Sequence, residues 1–101
     1  MLYLGTLEHA GSDLKLNSNT AAPFVIPKGT YRLWVQPSTT TFMVSCTGKN
    51  DSFSPTTAQM AKLGAADSLQ EVSCIPGGTI ASRKTDAGAG TLKVFAAVGG
   101  G

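Results

Sequence analysis

Between residues 26 and 47 the chain alternates in character with a period of two, twice over, on either side of a corner rich in proline and hydroxyl groups. Tyr31, Leu33 and Val35 point one way and Arg32, Trp34 and Gln36 the other, because successive side chains of a strand leave opposite faces. Phe42, Val44 and Cys46 alternate in the same way with Met43, Ser45 and Thr47, and no 3.6-residue template fits either run as well. Pro37 cannot donate to a ladder, and Ser38, Thr39 and Thr40 hydrogen-bond locally, so the chain turns there. The pattern predicts the central hairpin of an all-β sandwich, with core faces Tyr31/Leu33/Val35 and Phe42/Val44/Cys46. Pro27-Lys28-Gly29 marks the turn before it.

The rest of the chain repeats this grammar in shorter phrases. Residues 2–8 alternate and predict an N-terminal strand with Leu2, Leu4 and Thr6 on one face and Tyr3 and Leu7 near the other. Gly11-Ser12-Asp13 breaks it, Leu14-Lys15-Leu16 is a short strand, and Asn17-Ser18-Asn19-Thr20 is a turn by composition. Phe24-Val25-Ile26, bounded by two prolines, is a strand kept short. A polar loop follows Gly48. Its Asn50-Asp51-Ser52 formally matches a glycosylation acceptor, given no weight without a secretory signal. Residues 56–64 are the one helix candidate, with Thr56 or Thr57 as cap, Met60 and Leu63 on one face and Gly64 as stop. Residues 69–75 and 79–84 are further strands around the Pro76-Gly77-Gly78 turn, the second carrying Arg83 or Lys84 on its polar face. After the glycine-punctuated loop at 85–90, read as a hairpin loop, residues 91–98 close the domain with Leu92, Val94 and Ala96 on one face and Phe95 and Ala97 on the other. A strand apolar on both faces is central or covered by a partner.

These phrases amount to a sandwich or small jelly roll of about seven to eight mostly antiparallel strands, with at most one short helix near residues 56–64. With 101 residues there is room for a single β domain over residues 1–98, and Gly99-Gly100-Gly101 reads as a flexible tail. Charged residues make up 14% of the chain and eight basic against six acidic side chains leave a net charge of +2, with no run longer than Arg83-Lys84. That balance gives little electrostatic reason for nucleic-acid binding, and a weakly charged surface suits a protein covered by neighbours. The N-terminal MLYLGTLEHAG lacks the positive flank and core length of a signal peptide, and nothing approaches a transmembrane helix, so the expectation is a protein used without secretion or a membrane.

Chemistry is harder to place. Any nucleophilic dyad or triad would depend on His9, the sole histidine, expected as an exposed or loop-packed ring beside Glu8. Cys46 and Cys74 lie on the parity of apolar neighbours and read as buried free thiols, their pairing left open. They show no zinc-ligand spacing with His9, no two carboxylates form an acid–base pair in sequence, and Gly88-Ala89-Gly90 lacks the rest of a phosphate loop. No cofactor, metal or catalytic residue is expected. Arg83-Lys84 reads as a solvated strand end, and Tyr31 and Trp34, of opposite parity, cannot form one base-stacking platform. Four side chains stand out as an interface: Arg32 beside Trp34, a pairing enriched at binding hot spots, together with Met43 and Phe95.

In layout, the IPKGTYRLWVQP stretch, the polar mid-chain loop and the closing GAGTLKVFAA strand resemble the small β-domain virion proteins encoded in the structural gene blocks of tailed bacteriophages. The resemblance implies no enzyme but a virion structural protein, foremost a capsid decoration or cement protein that binds the major capsid protein and is assembled in the host cytoplasm. A minor tail or head-tail connector component, with possible homo-oligomers, is the neighbouring implication. A carbohydrate- or receptor-binding module is the alternative from another class. The resemblance assigns no residue a role.

Overall fold

The computed structural model describes residues 1–16, 24–49 and 53–99. Among these residues eight strands are formed: β1 (Leu2–His9), β2 (Leu14–Leu16), β3 (Thr30–Pro37), β4 (Phe42–Gly48), β5 (Ala61–Lys62), β6 (Gln70–Val72), β7 (Thr79–Lys84) and β8 (Gly90–Val98). They make two four-stranded antiparallel sheets, a front sheet in the order β1-β8-β3-β6 and a back sheet in the order β2-β7-β4-β5. The fold is the expected small all-β sandwich. The turns expected at residues 27–29, 37–40 and 76–78 do bound β3, β4 and β7, but the connection at 37–40 goes elsewhere than expected.

The supposed central hairpin is an arch. β3 lies in the front sheet and β4 in the back sheet, so residues 38–41 carry the chain across the sandwich rather than back along its own strand. Ser38 explains how: its N–H donates to the Thr91 carbonyl (2.9 Å) and its Oγ accepts from the Thr91 N–H (2.8 Å), fastening the corner to β8. At the other end of the corner the Thr41 carbonyl accepts from Thr85 N–H (2.9 Å), just past β7. The apolar faces of β3 and β4 therefore meet across the core instead of lying side by side. The loop at 85–89, read as a hairpin, is likewise an arch from β7 at the back to β8 at the front.

Leu33, Val35, Phe42, Val44, Ile80, Leu92, Val94 and Ala96 fill the space between the sheets. Tyr31 does not join them. The ladder between β3 and β8 slips between Thr30 and Arg32, so Tyr31 is thrown outward at 68% exposure and Thr30 turns in at 3%. An extra residue in one strand reverses the parity beyond it. A second bulge acts in β1 between Tyr3 and Gly5, putting Tyr3 and Thr6 on one face, where their hydroxyls hydrogen-bond, and Leu7 on the other; this corrects the alternation expected for residues 2–8. Gly5 is required there: its φ is 151°, and a Cβ would lie 2.3 Å from Phe24 Cε1.

Smaller corrections follow from partner strands. Of residues 56–64 only Thr57–Gln59 form a 3₁₀ turn, with Gln59 Oε1 accepting the Thr56 N–H at 2.9 Å, because Ala61 and Lys62 pair with β4 instead. Residues 24–26 contribute a lone bridge, Val25 to Thr79, rather than a strand. Of residues 69–75 only Gln70–Val72 pair with β3; the chain then leaves the front sheet, and Ile75 N–H donates to the Cys46 carbonyl (3.0 Å) in the back. Gly99, assigned to a loose tail, donates to the Gly29 carbonyl (2.8 Å). The expected turn at Asn17-Ser18-Asn19-Thr20, the Asn50-Asp51-Ser52 match and Gly100-Gly101 lie outside the described residues.

Candidate functional site

The front sheet's outer face carries one continuous rung across all four strands. Tyr3 on β1 is opposite Phe95 on β8, Phe95 is opposite Trp34 on β3, and Trp34 is opposite Glu71 on β6. Neighbouring strands lie about 4.8 Å apart, so three aromatic rings stand side by side on the outer surface. Tyr3 and Phe95 have ring centroids 5.3 Å apart at a 50° tilt, and Tyr3 is 52% exposed. Lys93 and Gln36 form the next rung with Thr6 and give the strip a polar border.

Arg32 closes the row. Its guanidinium carbon sits 4.9 Å from the centroid of Trp34, and it forms a two-pronged pair with Glu71 through Nη2 to Oε1 (2.8 Å) and Nε to Oε2 (3.1 Å). Those hydrogen bonds hold the Glu71 carboxyl below its ordinary range and push Arg32 further up. The planar fork holds the Arg32 guanidinium over the indole through both bonds at once, which a lysine could not do. Beyond it, at the edge left open where β6 ends, runs a groove of about 610 Å³ lined by Thr30, Tyr31, Arg32, Glu71, Val72 and Cys74, among others. Thr30 Oγ1 is buried at this edge and makes no hydrogen bond among the described residues.

Of the four side chains singled out in the sequence, Arg32, Trp34 and Phe95 come together here. Met43 does not: it is on β4 in the back sheet, opposite Lys62 and Arg83. Tyr3 and Glu71 complete the row and were missed, because the registers that bring them beside Phe95 and Trp34 join strands far apart in sequence.

A second cluster lies at one end of the core. His9 is not exposed or loop-packed as expected but 3% exposed, between the sheets. Its Nδ1 is 3.2 Å from Asp13 Oδ1 and its Nε2 is 2.7 Å from Ser82 Oγ. An ionised carboxylate can only accept, so Nδ1 carries the proton and Ser82 donates to Nε2. Burial lowers the His9 pKa against the opposing pull of Asp13, and the ring is neutral. Asp13 is in turn held below the ordinary carboxylate range, chiefly by the hydrogen bond from Lys15, whose Nζ is 2.8 Å away. This is the order of groups in a serine hydrolase triad. Yet Ser82 is 0% exposed, so its oxygen has no open side for a substrate, and the bond instead ties β1 in the front sheet to β7 in the back.

Lys84 belongs to the same end, and it too departs from expectation. Rather than ending a strand in solvent it is 1% exposed, donating to Asp86 Oδ1 and the Gly88 carbonyl. Its ammonium is 6.0 Å from the Phe42 ring centroid, and His9 meets the same ring edge-on at 5.4 Å. Gly90 leaves room for this packing: a Cβ would lie 2.8 Å from Lys84 Cε and 3.1 Å from Phe42 Cε2. Among the described residues no three His, Cys, Asp or Glu side chains gather as a metal site.

No protein-family model matches the chain, and no curated protein or solved structure shows significant similarity to it.

Proposed function

We propose that this chain is a structural binding module whose outer front face docks on other subunits, most specifically a tailed-phage virion protein that decorates the capsid shell by binding the major capsid protein. The observation that carries the reading is the Tyr3–Phe95–Trp34 row with Arg32 stacked at its end. Aromatic rings and an arginine concentrated on one patch have the composition of interface hot spots, where large rigid groups bury area at low entropic cost. The low overall charge supports the same reading, since nothing repels a close neighbour. In this role the sandwich is a rigid plate and the row is its adhesive side.

Incubation of the purified chain with shells of the major capsid protein, followed by sedimentation, tests the proposal. The wild-type chain should pellet with shells in a fixed ratio, and Trp34→Ala should stay folded in the supernatant. A wild-type chain that never pellets with shells or tails sinks the virion reading.

The same row favours one other reading. Side-by-side rings bordered by Lys93 and Gln36 are suited to stacking on sugar rings, which a carbohydrate-binding module would use. Quenching of the lone tryptophan by soluble oligosaccharides would move the assignment there.

A further inference from the structure

The two cysteines are 28 positions apart in sequence, yet the fold brings them to the same place. Cys46 faces the core from β4 at 2% exposure, and Cys74 packs against the same cluster from the segment that follows β6. The hydrogen bond from Ile75 N–H to the Cys46 carbonyl (3.0 Å) ties the residue next to Cys74 to the Cys46 backbone. A disulfide needs Cα atoms about 4.4–6.8 Å apart, a separation within reach of backbones joined so closely. Both thiols are free.

Their surroundings differ in a way that sets an order of events. Cys74 lines the open groove of about 610 Å³ beside Arg32 and Glu71. Cys46 lines a separate cavity of about 320 Å³, and Glu71, Val72 and Ser73 form the wall common to both. Burial raises both thiols, Cys46 to about 12, and Cys74, the less buried of the two and the one on the open groove, is the one a small solute meets first.

We propose that Cys46 and Cys74 are a redox pair that closes to a disulfide when a peroxide enters the groove. The Cys74 thiolate attacks the peroxide, forming an S–O bond as the O–O bond breaks; the departing hydroxide takes up the released proton as water. The Cys46 sulfur then attacks Cys74 sulfur, forming S–S as S–O breaks, and the hydroxyl leaves with the Cys46 proton as a second water. Both sulfurs are oxidised and the peroxide is reduced, with no other reactant. The bond would staple β4 of the back sheet to the segment leaving β6, an edge strand of the front sheet. This inference stands apart from the docking role, since it concerns the chain alone.

The test is native protein treated with hydrogen peroxide, then quenched, digested without reductant and mapped by mass. A Cys46–Cys74 linked peptide with loss of two hydrogens is expected, forming faster as pH rises and reversed by dithiothreitol. The oxidised protein should melt higher by about 5 °C or more, as closing a loop of this length implies. Cys74→Ser should abolish both the link and the shift while melting as the reduced wild type does. Oxygen added to Cys74 without a link, or cysteines that both remain open to alkylation after oxidation, would overturn the proposal; neither outcome depends on a variant folding.

Discussion

The buried end of the sandwich around His9 and the outer row around Trp34 use polarity in opposite ways. At the end of the core, His9, Ser82 and Lys84 lie almost wholly inside, each satisfied by the chain itself: Ser82 and Asp13 on the imidazole, Asp86 and Gly88 on the ammonium. On the outer face three rings lie at the surface, with Tyr3 half exposed, while Arg32 and Glu71 beside them are already paired with each other. A polar group in the interior is tolerated when every bond is made, whereas an aromatic group on the outside gains when something covers it. The first region thus closes on itself and the second leaves its gain to a neighbour. Stability should reside in one and binding in the other.

Breaking the buried end should give the largest effect. Phe42, 0% exposed and packed by both His9 and Lys84, should cost about 3–5 kcal/mol as Phe42→Ala, read by denaturant unfolding. Ser82→Ala comes next, because it strips His9 of its donor inside the core; about 1–3 kcal/mol is expected from the same measurement. A loss near zero would mean that the inter-sheet tie is not made in solution.

Acid should find the same region. The His9 pKa is depressed by burial, so the unfolded chain, with an ordinary value of 6.5, takes up a proton before the folded one does. The unfolded state then binds more protons, and stability is full well above that value and falls as pH drops through it toward the depressed folded value. Asp13, also depressed but from an ordinary 3.8, acts in a lower window and does not confound this one. His9→Gln, which keeps an acceptor for Ser82, should flatten the melting temperature across that interval. An equally steep slope in the variant would assign the acid sensitivity elsewhere.

Substitutions on the outer row sharpen the contrast from the other side. Trp34→Ala should cost about 1 kcal/mol or less, the scale of lost cross-strand contacts, while removing most binding to a partner surface. Glu71→Gln should leave the melting temperature unchanged, because the pair with Arg32 is exposed, and should act on binding only through the loosened guanidinium. If Trp34→Ala unfolds the protein, the row is part of the architecture and the division between the two regions fails.

Much of the fold was legible in the residues. Period two in 31–36, 42–47 and 91–98 gave strands, and glycine and proline gave their ends, because both depend on backbone geometry a few residues long. Arg32 and Trp34 could be singled out for the same local reason, being alternate residues on one strand. Phe95 came from a strand with apolar side chains on both faces. The rest depended on partners. Whether β4 folds back beside β3 or crosses to another sheet changes none of its side-chain periods, so the arch at 38–41 looked like a hairpin. The bulges that expel Tyr31 and turn Tyr3 outward each need one extra residue that no composition marks, apart from Gly5.

Alternation and punctuation within single segments determined that this protein is made of short strands with an apolar side and a polar side. Tertiary structure alone decided which strands became neighbours, and so set Tyr3, Phe95 and Trp34 in a row, enclosed His9 with Ser82 and brought Cys46 and Cys74 to one core cluster. The physical reason is that a strand's faces follow from its own pleat, whereas its register is chosen by the burial and hydrogen bonding of whole sheets at once.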